Sequence, residues 1–403
     1  MTEALLPARH SPLSLFSALR RLPQPLEGLR VSPTGRAWRE TNLDAACHNA
    51  QVLQNALPAG CRLMAVVKAD AYGHGAVPLS LALQREGVDA FAVACLSEGI
   101  ALRRRGVRGT ILILGYTPPE EAPLLQHFRL QQAVADLSHG EALSAQRIPL
   151  RVHLALDTGM HRLGIPAADR EALLTLFRLP HLQVEGVFSH LCTADSPTPR
   201  DAAFARRQLA LFEDAVQCIR NAGLNPGAVH LQASTGIWTL PPQPGSAYAR
   251  AGIALYGVQS SPGCVPCPLP LRPVLSLRAR VASVRTISAG ERAGYGLAFQ
   301  AARDTRLAVV TIGYADGLPA CLTQQGGEVL LSGRRCPMVG RMCMDQLLVD
   351  VTAVPQAVAG DTVTLIGEDG GREIRAEEVA QKCGILTNEF LAGLGHRLPV
   401  VCR

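Results

Sequence analysis

The feature that most constrains this chain is an alternation between residues 36 and 258, where short β-branched or apolar runs are separated by helical patterns at near-regular spacing. The runs are RLMAVVKA (62–69), DAFAVAC (89–95), GTILILG (109–115), LQQAVAD (130–136), LRVHLALD (150–157), LQVEGVFSH (182–190), AVHLQAS (228–234) and ARAGIALYG (249–257). Most intervals carry a helical stretch, such as AAFARRQLALFEDAVQCIRNAG between the sixth and seventh. Parallel strands joined by crossover helices make a (β/α)8 barrel or a doubly wound sheet, and a count of eight favours the barrel. After residue 270 the texture changes to closely spaced strands, LSLRARVASVRTIS, RLAVVTIGYADG, GEVLLSG, CPMVGRMCMDQLLVDVT and DTVTLIG, with only AEEVAQKCG helical in pattern. The expected fold class is therefore α/β, a (β/α)8 TIM-like barrel over residues 36–272 followed by a mostly β domain over 273–403.

A chain of 403 residues exceeds what one core usually holds, in keeping with two domains. Apolar residues at 48% and charged residues at 18% exclude a disordered or fibrous chain. No run approaches the roughly 20 apolar residues that span a bilayer, so no membrane partner is expected. The net charge of +6 is thinly spread; its one basic cluster, Arg103 to Arg105, reads as a solvated helix end rather than a nucleic-acid patch. Most of the twelve cysteines sit in apolar runs (Cys95, Cys192, Cys343) with no secretory signal upstream, which suits free thiols in the cytoplasm. Cys264 and Cys267 have metal-ligand spacing, but no second pair stands at a zinc-site distance and prolines flank them, so a loop is expected. Residues 1–35 are rich in Pro, Leu and Arg, with LSLFSALRRL able to form one short amphipathic helix; no charged stretch precedes it as in a signal peptide, and the segment reads as an extension outside the fold.

Barrel active sites gather at the C-terminal ends of the strands, where this chain places several unusual polar residues. Lys68 ends the first strand, His190 the sixth and Ser234 the seventh; Arg162 follows the fifth in DTGMHRLG, and Arg250 and Gly252 lie on the eighth. Desolvation at an apolar strand end lowers an ammonium pKa, which makes a lysine amine a nucleophile toward carbonyls. A lone lysine there would more often reach to the surface, a lone His190 would be a satisfied strand-end histidine, and the Met344 side chain would be packing.

Lys68 does not stand alone, because AVVKADAYGHG resembles the lysine motif of alanine racemases nearly residue for residue. DTGMHRLG, FSHLCTAD, YARAGIALYG, GYG, TIGYADG and GRMCMDQ continue the resemblance in that family's order, over about residues 36–401. It implies a cytoplasmic, pyridoxal 5'-phosphate-dependent isomerase that interconverts L- and D-alanine, supplies D-alanine as a peptidoglycan precursor, and works as a homodimer with shared active sites. Lys68 would hold the cofactor and act as base for the D-enantiomer, while Tyr295 would reach into the partner's site as base for the L-enantiomer. Two bases on opposite faces of one planar carbanion are what racemisation needs, and a tyrosine titrating near ~10 needs cationic or hydrogen-bonding neighbours to serve. Arg162 would reach the cofactor's phenolic oxygen and that tyrosine; Met344 would offer its backbone N–H to the substrate carboxylate, with Tyr314 and Asp345 also on the substrate side. Arg250 would face the pyridine nitrogen, supported by His190; a guanidinium keeps its proton, which weakens the ring as an electron sink. Tyr72, Ser234, Gly252 and Ile253 match the phosphate-binding positions, where hydroxyls and backbone N–H groups suit a phosphate.

Three positions depart from the family. Ala155 stands where most members have a lysine whose carbamate orients the arginine, so Arg162 must be held another way, for instance by an anion such as chloride. Ala233 replaces an asparagine, and His396 a phosphate and pocket tyrosine. These changes resemble serine/alanine racemases of vancomycin-resistance systems, and an apolar pocket rejects an added hydroxyl by only about 100-fold, so serine is the second expected substrate. Barrel-fold decarboxylases of basic amino acids need an acidic partner for the ring nitrogen where this chain has Arg250; a cofactor-binding homeostasis protein leaves the β domain with Tyr295 unexplained.

Overall fold

The computed structural model describes residues 34–241 and 245–403. Nearly all of the expected N-terminal extension, with its short helix, lies outside the described residues.

Strand β1 (Ala37–Thr41) precedes the barrel strands β2 (Arg62–Val66), β3 (Ala90–Val93), β4 (Thr110–Ile113), β5 (Gln131–Val134) and β6 (Leu150–Asp157). A two-residue strand β7 (Ile165–Pro166) pairs with β6, and β8 (Leu182–Phe188), β9 (Ala228–His230) and β10 (Tyr248–Ala251) complete the set. The order β10-β2-β3-β4-β5-β6-β8-β9 is parallel throughout, and an Ala233–Arg250 bridge joins the two ends into a closed barrel. These strands read as continuous apolar runs because helices cover one face and the barrel interior the other; all four residues of β3, AFAV, are buried.

The helices form where sequence supplies both a cap and a stripe. In Pro199–Asn221, Thr198 caps the Asp201 N–H, a proline sits in the first turn, and Ala205, Gln208, Phe212, Ala215, Val216 and Ile219 bury one face. Asn42 and Asp136 cap their helices in the same way, each such cap contributing about 1 kcal/mol.

The remaining strands are β11 (Leu275–Ile287), β12 (Arg292–Ala293), β13 (Phe299–Gln300), β14 (Thr305–Val310), β15 (Glu328–Leu331), β16 (Arg334–Val339), β17 (Leu347–Asp350), β18 (Thr362–Asp369), β19 (Arg372–Ile374) and β20 (Val400–Cys402). One sheet runs β19-β18-β15-β16-β17-β14-β11-β1-β20, and an added β18–β11 pairing closes six of its strands on themselves. Besides pairing with β1, the long β11 serves β18 and β14 with register shifts at Leu277/Arg278 and at Val281/Ser283 respectively.

Two features differ from the sequence expectation. β1, placed by sequence at the head of the barrel domain, pairs antiparallel with β11 and parallel with β20, so it belongs to the second sheet. The C-terminal part also holds a second helix, Thr387–Gly393, beside the expected Ala376–Cys383; seven residues are too few to show a helical period. Among the described residues no helix is long and apolar enough to cross a membrane. Cys264 and Cys267 lie in an irregular segment, the first donating its thiol to Asp195 and the second to the Leu269 carbonyl.

Candidate active site

The chain after β2 does something that sequence alone does not announce. Ala69, Asp70, Ala71 and Tyr72 all have φ between 51° and 55°, one turn of left-handed helix built without glycine. Left-handed geometry costs an L-residue roughly 1–2 kcal/mol each, so the turn must be held from outside. The Ala69 N–H donates to Glu98 Oε1 at 2.7 Å, the Ala76 N–H to Asp70 Oδ1 at 2.8 Å, and Arg39 of β1 donates to the Gly73 carbonyl at 2.8 Å. Gly73 follows at φ 79°, where a Cβ would stand 2.3 Å from the Leu391 carbonyl oxygen, so only glycine fits. Both β1 and the helix Thr387–Gly393 thus brace the turn that opens with Lys68.

Lys68 opens into a cleft of about 650 Å³ at the C-terminal end of the barrel, also lined by Tyr72, Arg162, His190, Ser234, Arg250, Gly252 and Ile253. All eight barrel residues singled out from sequence therefore meet on one rim. Burial holds the Lys68 ammonium below its ordinary pKa; the nearby Arg162 adds to this and Glu98 opposes it.

One corner of the cleft is a polar cradle. Ser234 Oγ accepts from the Gly252 N–H at 2.9 Å and the Ala254 N–H at 3.3 Å. A Cβ on residue 252 would come within 2.8 Å of the Tyr72 hydroxyl, so glycine keeps this space open. Burial pushes the Tyr72 phenol up to about 12, leaving it a neutral donor. The expected eighth strand ends early, at Ala251, and its remainder coils into the short turn Ile253–Tyr256 beside the cradle.

Arg250, 4% exposed, lies at the barrel end of the cleft. It donates to the Ser189, His230 and Leu231 carbonyls at 2.6, 3.0 and 3.0 Å and to His230 Nδ1 at 2.8 Å, and stacks over Phe188. Burial pulls it down to about 9, still well above neutral pH, so it stays a cation. The histidine that supports Arg250 through a side-chain hydrogen bond is His230, not His190 as the resemblance implied. His190 lines the cleft instead, and burial with the charges of Arg250, Arg162 and Lys68 holds it at about 3, hence neutral.

His230 continues inward, its Nε2 2.8 Å from His153 Nδ1, and His153 Nε2 lies 3.0 Å from Gln131 Oε1. With a carbonyl oxygen at the far end, His153 donates to Gln131, His230 donates to His153, and the free Nδ1 of His230 faces Arg250. Burial, reinforced by Arg250, keeps both imidazoles neutral, His153 at about 3 and His230 far below its ordinary value. Sequence reasoning missed this chain; the available signal was a histidine inside each of two otherwise apolar strands.

Arg162 is exposed in the cleft and makes no hydrogen bond or ion pair among the described residues, while Ala155 lines the same wall. Tyr295, Tyr314, Met344 and Asp345 are not in this cleft. All four belong to the β domain; Tyr314, Met344 and Asp345 lie together there, where the Tyr314 and Ala315 N–H groups donate to the Cys343 and Met344 carbonyls and Asp345 pairs with Arg397 at 2.5 Å. Tyr295 is 68% exposed and Met344 53%, with Leu297 and Tyr314 also exposed. His396 is exposed as well and does not line the cleft.

Comparison with known proteins agrees with this geometry. Residues 41–260 match the alanine racemase N-terminal domain model and residues 274–402 the alanine racemase C-terminal domain model. An amino-acid racemase of Enterococcus faecalis is 40% identical over 96% of this chain and 55% of its own length. An alanine racemase of Nostoc is 39% identical over 91% of this chain and 95% of its own length. A serine/alanine racemase of Enterococcus gallinarum is 36% identical over 92% of this chain and 52% of its own length. The chain therefore spans about half of the two enterococcal relatives and nearly all of the Nostoc one. Among solved structures, alanine racemase of Clostridium difficile superimposes with a TM-score of 0.85 at 32% identity, covering 91% of this chain and 96% of that one. Alanine racemase of Bartonella henselae, solved with covalently bound pyridoxal phosphate, gives 0.80 at 28% identity, covering 92% and 100%. A barrel whose lysine, arginine and hydroxyl groups share one cleft, two matching domain models and relatives at this identity lead to one conclusion: the chain belongs to the pyridoxal-phosphate-dependent alanine racemase family.

Proposed function

We propose that this chain racemises alanine, supplying D-alanine, and accepts serine as a second substrate, with each active site completed by a second copy of the chain. The observation that carries the reading is the Lys68 amine, shifted toward its neutral form, in one cleft with the Tyr72/Ser234/Gly252 cradle and the Arg250 cation. The cleft residues fit pyridoxal phosphate: the Tyr72 and Ser234 hydroxyls offer donors to a phosphate, Ser234 being oriented by the Gly252 and Ala254 N–H groups, and the absent Cβ of Gly252 leaves it room.

When bound, the cofactor delocalises the electron pair left on the α-carbon once its proton is removed. Tyr72, Ser234 and the backbone at Gly252 and Ile253 hold the phosphate. Arg250, tied to three carbonyls and His230, keeps its guanidinium protons rather than transferring one, so it does not strengthen the ring as an electron sink. Lys68 holds the cofactor and moves the α-proton on one face. Tyr295 moves it on the other, and Met344, Tyr314 and Asp345 arrive with it. The exposure of Tyr295, Leu297, Tyr314 and Met344 on the β domain, outside the cleft of their own chain, supports their use by a partner. The enterococcal serine/alanine racemase supports serine as substrate.

Purified protein is given L-alanine, L-serine and a wider amino-acid panel, with Lys68→Ala and Tyr295→Phe as controls. Loss of optical activity with alanine first and serine second is expected, both variants losing it. Release of CO2 instead would make the protein a decarboxylase, and neither outcome would leave a cofactor-binding protein.

A further inference from the structure

Glu98 stands in the first turn of the helix Leu96–Arg104, following β3, and its two carboxylate oxygens have separate duties. Oε2 accepts from the Ala94 N–H at 2.7 Å, the residue just after β3 and two before Glu98's own helix. Oε1 accepts from the Ala69 N–H at 2.7 Å, the residue next to Lys68 and the first of the left-handed turn. Resting on Lys68 as the cofactor's anchor, we propose that Glu98 is a positioning residue for that anchor, its carboxylate clamping the strained Lys68 turn to the end of β3.

Within the turn the Ala71 N–H donates to the Val67 carbonyl at 2.9 Å, and the other side-chain supports, including the Arg39–Asp70 ion pair at 3.5 Å, begin at Asp70. Asp70 accepts from Ala76, and Arg39 reaches the Gly73 carbonyl, so at the Lys68 end the Ala69 N–H has Glu98 as its acceptor. A backbone that four non-glycine residues strain toward ordinary geometry will relax first where its clamp is removed. The side chains charged around the lysine are Arg162 and Glu98, so Glu98 also offsets the cation that disfavours the Lys68 ammonium. A residue that only capped its own helix would need one bond, to Ala94; the second bond crosses to another barrel unit.

The test compares holoenzyme of the parent, Glu98→Gln and Glu98→Ala by amide hydrogen exchange and by the rate of pyridoxal phosphate loss on dilution. Glu98→Ala is expected to raise exchange at Ala69–Gly73 by about tenfold or more, the factor expected for losing a charge-assisted bond, and to speed cofactor loss in parallel. Glu98→Gln keeps one acceptor oxygen and is expected to fall between; it also stands in if the alanine variant does not fold. Faster exchange confined to Ala94 and the helix 96–104, or a faster turn with unchanged cofactor loss, would overturn the proposal. The anchor itself is checked separately, by borohydride reduction and peptide mass spectrometry of the parent, so a failure of Lys68 as anchor is not confused with a failure of Glu98.

Discussion

Adding one methyl group at residue 252 tests the phosphate cradle. In Gly252→Ala the new Cβ would sit 2.8 Å from the Tyr72 hydroxyl, about 0.7 Å short of the ~3.5 Å at which such atoms stop repelling. Tyr72 has little freedom to yield. Its backbone lies in the left-handed turn, and its ring packs at 5.1 Å against Tyr256, whose own hydroxyl is fixed to the Val66 carbonyl at 2.7 Å. The ring can escape toward the cleft, into the space a phosphate needs. Overpacking of this kind costs about 1–3 kcal/mol, which at 1.4 kcal/mol per decade weakens cofactor binding on the order of 10- to 100-fold. The assay is titration of cofactor-stripped protein with pyridoxal phosphate, followed by absorbance, alongside a melting curve of the stripped protein. A parent-like Kd, with Tyr72 still in place in a crystal structure of the variant, would refute the reasoning.

Acid should destabilise the fold above the range where carboxylates titrate. His74 and His153 are held neutral by burial, at about 4 and about 3, against an ordinary value of 6.5. The unfolded chain therefore binds protons below pH 6.5 that the folded chain refuses. Their contribution is complete above that pH and is lost as pH falls, toward 4 for His74 and toward 3 for His153, by about 2 kcal/mol per histidine at pH 5. Guanidinium midpoints at pH 7, 6 and 5 check this, and a flat series contradicts it. Racemisation should also be independent of dissolved CO2, because Ala155 on the cleft wall offers no amine for a carbamate near Arg162; rates in CO2-free buffer with and without added bicarbonate decide, and a drop on depletion contradicts the prediction.

The barrel was legible because eight strands buried on both faces leave long apolar runs, and no surface pressure disguises them. Their C-terminal limits were less so: the runs ending in Ser234 and Gly257 leave regular strand at His230 and Ala251, where the backbone turns to present N–H groups. Strand β1 could not be assigned to its sheet, since AWRET carries no sign of which distant edge it joins. The rim residues could be found because a lysine or arginine at a strand end is rare enough to be conspicuous. The left-handed turn after Lys68 could not, because Ala-Asp-Ala-Tyr has no propensity for it and long-range partners such as Glu98 and Arg39 impose it. The Arg250–His230–His153–Gln131 chain stayed hidden for the same reason, being assembled from β10, β9, β6 and β5. Tyr295 was recognisable by motif, and its distance from its own cleft is a property of the folded chain.

Subunit complementation most directly tests whether an amine and a phenol from different copies serve one α-carbon. Lys68→Ala and Tyr295→Phe homodimers should each be inactive. After mixing and subunit exchange, half the dimers pair one of each, and each of these rebuilds one intact site, so about a quarter of the parent's sites should return. A mixture that stays inactive although mass spectrometry shows mixed dimers would contradict the account.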